Sequence, residues 1–312
     1  MNRSALSHRL LPDLALLGIA AVWGGSYLAT QELAESVGAA AVLCARFLPA
    51  ALLLGALVLA HRARSSAAPR GLPGAAPAQG HRGVLGAGSL LGALRAATIV
   101  LETVGVTRTS ATNAGLLIGL SILLTPLLES AVSRRRLTVG MIGSVSLALC
   151  GIALLVGGNG FARMNDGDAL ILAAAVTRAA LGVAEARATR GPDADLLGLT
   201  AVEIGFGAVL FTLWGGGALA ARIPSLTAAD WGLVIYLSLG CTILAFLGQL
   251  WATSRTSASR AGLLLGSEPG WALGIGILLG GERIGAAGWA GAAVLLVAMT
   301  WGRRAEERWR HG

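Results

Sequence analysis

One stretch of this sequence occurs twice. Residues 107–119 read TRTSATNAGLLIG and residues 254–266 read SRTSASRAGLLLG, with nine of thirteen positions identical at a constant offset of 147 residues. Extended without a gap, the same offset pairs Glu102 with Gln249. A match of this length at a fixed spacing indicates an internal duplication. We therefore divide the chain into two related halves, at residues 13–157 and 168–303.

The composition places both halves in a membrane. Only 13% of the residues are charged and the mean hydropathy is +0.72, whereas soluble domains carry roughly 25% charged residues. The net charge of +8 comes entirely from arginine. In so apolar a chain we interpret the arginines as an orientation signal. We therefore predict a lipid bilayer as partner, and no nucleic acid.

Apolar runs of about 20 residues are long enough to cross the hydrocarbon layer. We predict ten such spans, at about 13–31, 39–60, 83–105, 110–130, 137–157, 168–187, 196–219, 230–252, 258–280 and 284–302. The linker at residues 62–82 is rich in Ala, Pro, Gly and Arg and lacks apolar periodicity, which predicts a solvated connector.

The arginines support the number ten. If both termini are cytoplasmic, the cytoplasmic segments hold 17 of the 24 arginines, the outer loops hold 4, and 3 lie inside spans. This bias is what the positive-inside rule predicts for a multi-pass protein of the plasma or inner membrane. Five spans in each half is an odd number, so the second half would enter the membrane inverted. Inverted repeats place a substrate site near the bilayer midplane, between the halves.

Five short motifs, in this order along the chain, carry a family resemblance. They are Trp23-Gly24-Gly25, Arg46-Phe47, Thr109-Ser110-Ala111, Glu268-Pro269 and Gly281-Glu282-Arg283. With them, the whole chain resembles the EamA family of the drug/metabolite transporter superfamily. The resemblance implies an all-α integral membrane protein of ten helices in two five-helix repeats. It also implies a carrier that moves small metabolites or drugs, usually outward, by alternating access.

Glu268 is the first candidate for a functional residue. A charged side chain inside the membrane is costly and needs a partner or a watery cavity. Glu268 directly precedes Pro269, which we expect to break its helix and leave carbonyl groups free. We expect a similar break at Pro126 in the fourth span. The Glu268 carboxylate would bind a cationic substrate or couple a proton; the alternative is a purely structural pairing with a neighbouring helix.

Other polar groups fall inside predicted spans. Glu102 and Gln249 are equivalent positions of the two halves and would face one central cavity. Arg95 lies seven residues before Glu102, so an internal Arg95–Glu102 pair on one helix face is the competing interpretation. Repeat alignment also places Arg46 opposite Glu203.

Arg178 and Glu185, again seven residues apart, either line the cavity or pair between helices. The embedded aromatic residues Trp23, Tyr27 and Trp271 are candidates for stacking on an organic substrate or a cation.

The glycines have a simpler interpretation. Gly262, Gly266, Gly270 and Gly274 recur at every fourth position. Gly115 and Gly119 are their counterparts in the fourth span. Such a small-residue face predicts close packing of a neighbouring helix, and a sliding role for the same face is the alternative.

Enzyme chemistry finds little support. All four histidines lie outside the predicted spans, and the sequence has no HExxH, GxSxG or Walker motif. We therefore expect neither a metal nor a cofactor. The function that remains is a secondary transporter, more specifically an exporter of small metabolites, amino acids or drugs, with proton coupling as an option. An importer and a non-transporting scaffold are the alternatives, and the chain is expected to act as a monomer or a homodimer.

Overall fold

The computed structural model describes residues 3–67, 81–133, 138–158, 165–188, 195–253 and 264–311, and these residues contain helices and no β-strand. In the first half the helices are α1 (Arg3–Val37), α2 (Ala39–Ala67), α3 (His81–Val106), α4 (Ala111–Ile118), α5 (Ser121–Ser133) and α6 (Val139–Gly158). In the second half they are α7 (Asp166–Ala188), α8 (Leu196–Arg222), α9 (Ala228–Ile235), α10 (Ala245–Thr253), α11 (Glu268–Leu278) and α12 (Ala286–His311). A π-helical segment, Tyr236–Leu244, joins α9 to α10.

Seven helical stretches among these residues are long and apolar enough to cross a membrane. They are Leu11–Val37, Ala39–Ala60, Gly83–Val106, Ala111–Val132, Asp166–Glu185, Leu197–Ser225 and Ala228–Gln249. They coincide with seven of the ten predicted spans. Residues 139–154 of α6 form a shorter apolar helix. The span predicted at 258–280 begins outside the described residues, and the one at 284–302 lies within α12. The total of ten stays a prediction.

The two halves are interleaved rather than side by side. The most extensive helix contacts join a helix of the first half to one of the second: α6 packs on α12, α2 on α8, and α3 on both α7 and α8. The pattern also has matching pairs, because α11 packs on α1 as α4 and α5 pack on α7. The apolar faces that each half leaves uncovered are therefore buried by the other half.

Two helix interruptions lie at equivalent positions of the halves. Helix α4 ends at Ile118 and α5 begins at Ser121, so Gly119 and Leu120 form the break. The offset of 147 residues carries this break to positions 266 and 267, which are a turn directly before α11. Both breaks thus recur with the duplication itself.

The prolines relate to these breaks differently from the prediction. Pro269 lies in the first turn of α11, where a missing N–H group costs little and the fixed φ angle suits a helix start. The break therefore precedes Pro269 rather than following from it. The break expected at Pro126 is wrong in position, because α5 continues through that residue from Ser121 to Ser133.

Of the glycines predicted to form a small-residue face, Gly115 and Gly119 pack closely on α11, whereas Gly270 and Gly274 do not. A Cβ atom added to Gly115 would overlap the Cβ of Ala272, and one added to Gly119 would lie 2.6 Å from Pro269 Cγ. Gly270 and Gly274 have no heavy atom within 4 Å of such a Cβ. The packing role predicted for these two is wrong, because their face of α11 has no close neighbour. Gly262 lies outside the described residues, and Gly266 lies at the break.

This asymmetry gives a test of the packing. Gly115→Ala should destabilise the protein by about 1–3 kcal/mol, since the new methyl group meets another Cβ that cannot rotate away. Gly274→Ala is the matched control, because it adds the same methyl group in open space within a helix. Thermal unfolding of both variants in detergent, monitored by the loss of the folded peak in size-exclusion chromatography, measures the difference in melting temperature. Equal melting temperatures would contradict the described contact of α4 with α11.

Candidate functional site

A cavity of about 630 Å³ lies between the two halves. Helices α1, α3, α5, α7, α8, α10 and α11 all contribute side chains to its wall. It is situated toward the end of the bundle at which α3 and α8 begin and α7 and α10 end, and we call this the cavity end. Both helix interruptions reach it, through Gly119 in the first half and Gly266 in the second. Its volume falls in the range of small-molecule sites in proteins.

Glu268 is the centre of one charged cluster beside this cavity. Arg178 donates from Nη2 to Glu268 Oε2 at 2.9 Å and from Nη1 to Oε1 at 3.2 Å. The Tyr27 hydroxyl donates to Glu268 Oε1 at 2.5 Å. Arg178 Nη1 also lies 3.8 Å from Glu102 Oε1. These four residues, Tyr27, Glu102, Arg178 and Glu268, form the Arg178 cluster, which ties together α1, α3, α7 and α11.

The helix break explains why a carboxylate is accommodated here. Glu268 is the first residue of α11 and is buried, with 7% of its surface exposed. The unpaired N–H groups at a helix N-terminus carry a partial positive charge that favours a carboxylate. Burial next to a helix start and a bidentate arginine is the arrangement in which an embedded carboxylate is well compensated.

A second charged cluster lies closer to the cavity end. Arg95 pairs with Glu203 through Nε and with Glu185 through Nη2, the latter at 2.6 Å. The Arg95 guanidinium also lies 4.5 Å from the centre of the Phe246 ring, a cation–π contact. All four residues line the cavity, and we call them the Arg95 cluster.

Each cluster sets one guanidinium against two carboxylates. With all groups ionised, each cluster has one more negative than positive charge, so both offer a place for an additional cation or a proton. In the Arg95 cluster both carboxylates line the cavity, whereas in the Arg178 cluster Glu268 lines it and Glu102 does not.

The pairing of the charges differs from one sequence prediction. Arg95 and Glu102 do not pair with each other, although they are two turns apart on α3. Arg95 contacts Glu203 and Glu185, whereas Glu102 lies by Arg178. The reason is the interleaved packing, since α7 and α8 bring their own charged groups against successive turns of α3. Of the equivalent positions Glu102 and Gln249, only Gln249 lines the cavity.

Arg46 likewise does not meet Glu203. Its Nε donates to the Thr242 hydroxyl at 3.3 Å. Thr242 belongs to the π-helical segment, and its own hydroxyl donates to the Leu237 carbonyl, five residues earlier, at 2.9 Å. Arg46 is therefore embedded in the protein but does not line the cavity.

The three aromatic candidates have separate positions. Trp23 lines the cavity, donates from Nε1 to the Cys241 carbonyl at 2.9 Å and packs against Phe246. Tyr27 is buried and belongs to the Arg178 cluster. Trp271 is 43% exposed on the outside of the bundle and does not line the cavity. A stacking role within the cavity is thus open to Trp23 alone among the three.

The opposite end of the bundle is held together by contacts that sequence reasoning missed. The Glu282 carboxylate accepts hydrogen bonds from the backbone N–H groups of Ala111, at 2.7 Å, and Thr112, at 3.1 Å. The Thr109 hydroxyl donates to Asp168 at 2.6 Å. Thr109 and Glu282 belong to two separate sequence motifs, Thr109-Ser110-Ala111 and Gly281-Glu282-Arg283. No sequence signal links Thr109 to Glu282, because the offset of 147 residues carries Thr109 to position 256 and Glu282 to position 135; only the fold brings the two motifs together.

The Arg178 cluster predicts a specific pattern of stability. Arg178→Gln leaves the buried Glu268 carboxylate without its cation and should cost about 3–5 kcal/mol. The double variant with Glu268→Gln should recover part of this loss, because it removes the uncompensated charge. Arg304→Gln, at an exposed arginine of α12, is the control and should leave the melting temperature unchanged. A double variant no more stable than Arg178→Gln would contradict the pairing.

The Arg95 cluster offers an internal comparison. Glu203 and Glu185 contact the same guanidinium, but their side chains are 7% and 38% exposed. Glu203→Gln should therefore lower the melting temperature clearly, while Glu185→Gln should cost about 0–1 kcal/mol, as expected for a partly solvated pair. Thermal unfolding in one detergent under identical conditions compares them. A larger loss for Glu185→Gln would reverse the assigned order of burial.

Comparisons with known proteins agree with this architecture. One crystal structure, described only as "Crystal structure of protein", aligns with a TM-score of 0.58 and 20% sequence identity, covering 94% of this chain and 96% of that one. At this identity the likeness concerns the fold alone. The curated proteins contain no significant match. The sequence model of the EamA-like transporter family matches residues 10–157 and again residues 165–301. The chain therefore belongs to the EamA-like transporter family.

Proposed function

We propose that this protein is a secondary transporter that carries a small organic molecule through the cavity between its halves. The single observation that carries the proposal is the Arg178 cluster, in which a buried carboxylate at a helix break lies beside a cavity of about 630 Å³. Ionisable groups within a membrane-embedded bundle mark substrate or ion pathways by default. Membership of a transporter family points the same way.

The chemistry of the wall indicates the class of cargo. Carboxylates of both clusters and the guanidinium groups of Arg95 and Arg178 supply charges of both signs. Leu91, Trp23 and Phe246 supply apolar and aromatic surface. A small amphipathic molecule with a cationic group, such as an amino acid or an organic cation, fits this combination. An ammonium group of the cargo would compete with Arg178 for the Glu268 carboxylate. Alternatively, a proton would bind to that carboxylate instead of the ammonium group.

Alternating access follows from the two-repeat architecture within this proposal. The two halves cross the membrane in opposite directions, five spans each, with both termini in the cytoplasm. In that orientation the cavity end faces the cytoplasm, and the contacts of Glu282 with α4 and of Asp168 with Thr109 seal the outer end. The protein would load cargo from the cytoplasm and release it outside, as an exporter of the plasma or inner membrane.

The arrangement favours a carrier over a scaffold. A scaffold gains nothing from two clusters of embedded charges around a cavity large enough for a small organic molecule, since each charged group is expensive to insert into a membrane. Glu268 in particular is held by Tyr27 of α1 and Arg178 of α7, and Arg178 in turn approaches Glu102 of α3, so any change in the pairing of Glu268 is transmitted to these three helices. This coupling is the mechanical basis we assign to transport.

Electrical recording on reconstituted protein tests the proposal. Purified protein in liposomes is exposed to a panel of amino acids and lipophilic cations, with and without a pH gradient. We expect a saturable current for a subset of the panel, reduced at least about tenfold by Glu268→Gln, because the amide loses the charge that pairs with a cation or proton. Glu35→Gln, at an exposed carboxylate near the end of α1, is the matched control and should behave as wild type.

Two results would count against it. A substrate current that is unchanged in Glu268→Gln would remove the Arg178 cluster from the pathway, even if transport itself remained. Absence of both currents and isotope uptake across the panel would favour a non-transporting role, provided that the protein elutes as a single folded species.

A further inference from the structure

Arg46 is an embedded arginine whose surroundings differ from those of Arg95 and Arg178. Those two each contact two carboxylates. Among the residues that the structure describes, no carboxylate forms an ion pair with Arg46, and its Nε contacts only the Thr242 hydroxyl, at 3.3 Å. The cavity already described does not explain the charge, since Arg46 is absent from its wall.

The duplication gives this contact a counterpart. The offset of 147 residues carries Arg95 to position 242, which is Thr242. Before the linker at residues 62–82 the alignment of the repeats has an offset of 157 residues, and there it places Glu203 at the position of Arg46. The Arg95–Glu203 pair, which joins α3 to α8, thus corresponds to the Thr242–Arg46 hydrogen bond, which joins the π-helical segment to α2. Each contact joins the third helix of one repeat to the second helix of the other repeat.

The two copies differ in exposure to the cavity. Arg95 and Glu203 line it, as does Leu91, one turn before Arg95. The offset carries Leu91 to Ser238, and Ser238 and Thr242 are buried, with 2% and 1% of their surfaces exposed. The second copy of this stretch of wall therefore exists in the sequence but is closed in this conformation.

We propose that Ser238, Thr242 and Arg46 line the pathway when the transporter is open at the opposite end, and that Arg46 there binds an anionic group of the cargo, most suitably a carboxylate. This inference rests on the proposed function. When two related halves exchange conformations, the wall built by one half is replaced by the equivalent wall of the other. The replacement substitutes an arginine for Glu203 and a hydroxyl for Arg95.

The substitution changes the sign of the charge on that wall. In the present cavity Arg95 is outnumbered by Glu185 and Glu203, so this stretch of the wall has a net negative charge. In the opposite state the guanidinium of Arg46 faces a neutral hydroxyl, and its planar set of donors matches a carboxylate. A cargo with one cationic and one carboxylate group would thus find a different charged partner in each state.

Side-specific cysteine labelling tests the inference without a known substrate. In a background with Cys44, Cys150 and Cys241 replaced by Ala, the equivalent variants Leu91→Cys and Ser238→Cys are treated from either side of the membrane. The reagents are two membrane-impermeant methanethiosulfonates, one carrying a sulfonate and one a trimethylammonium group. We expect the thiol at position 91 to react from the cavity end only, and the thiol at 238 to react from the opposite end only.

Arg46 should also set the preference for reagent charge. At position 238 the ratio of sulfonate to trimethylammonium rates, corrected for reaction with a free thiol, should exceed that at position 91 by about tenfold, as expected for one nearby unit charge. Arg46→Gln in the Ser238→Cys protein should abolish this excess. Arg46→Lys, which keeps the charge, should retain most of it and serves as the control for folding.

Several results would overturn the inference. They are labelling at 238 from the same side as at 91, no labelling at 238 from either side, and a charge preference unaffected by Arg46→Gln. The proposed function is decided separately by the currents of wild type and Glu268→Gln. Substrate currents without labelling at position 238 would support the proposed transport function and reject this pathway. Opposite-sided labelling without any current would retain the two-state pathway and reject the assigned transport.

Discussion

The contact of Arg178 with Glu268 is the interaction on which the rest of the bundle depends. It is bidentate, it lies beside a helix break, and it is extended by Tyr27 and Glu102 to two further helices. A membrane interior has no water to compensate a charge that loses its partner. The positions of α1, α3, α7 and α11 are therefore linked through one guanidinium. If any one of these helices shifts, the Arg178 guanidinium must find a new partner.

The helix breaks make such a link possible. An unbroken helix at Glu268 would present a carboxylate at mid-membrane with its backbone fully paired. The break at residues 266 and 267 instead gives Glu268 the start of α11, where N–H groups are available to a negative charge. In the first half the equivalent break, at Gly119 and Leu120, is followed by Ser121 in place of the carboxylate. The duplicated scaffold is thus shared, while the charge is specific to the second half.

Much of this could be predicted from the sequence, and the remainder has a physical explanation. The duplication, the apolar runs and the membrane class were readable because they depend on local pattern and fixed spacing. Glu268, Arg178, Arg95 and Glu203 were predictable as embedded charges for the same reason, and all four line one cavity. Their partners were not predictable from spacing along one helix. Arg95 and Glu102 share a face of α3, yet Arg95 pairs with Glu203 of α8 and Glu185 of α7, whereas Glu102 lies by Arg178 of α7. The break assigned to Pro126 failed because a proline can be absorbed within a helix, whereas Gly119 and Leu120 end one.

The interleaving of the halves has a consequence for biosynthesis. Helix α3 inserts while the second half of the chain is still being made, yet the carboxylates and the guanidinium that compensate Arg95 and Glu102 all lie on α7 and α8. During that interval its two charges lack their final partners, and the apolar faces of α2 and α6 await α8 and α12. On its own, the first half would therefore leave two embedded charges and two apolar faces without the partners that they have in the complete fold. Translation of the second half completes the fold of the first.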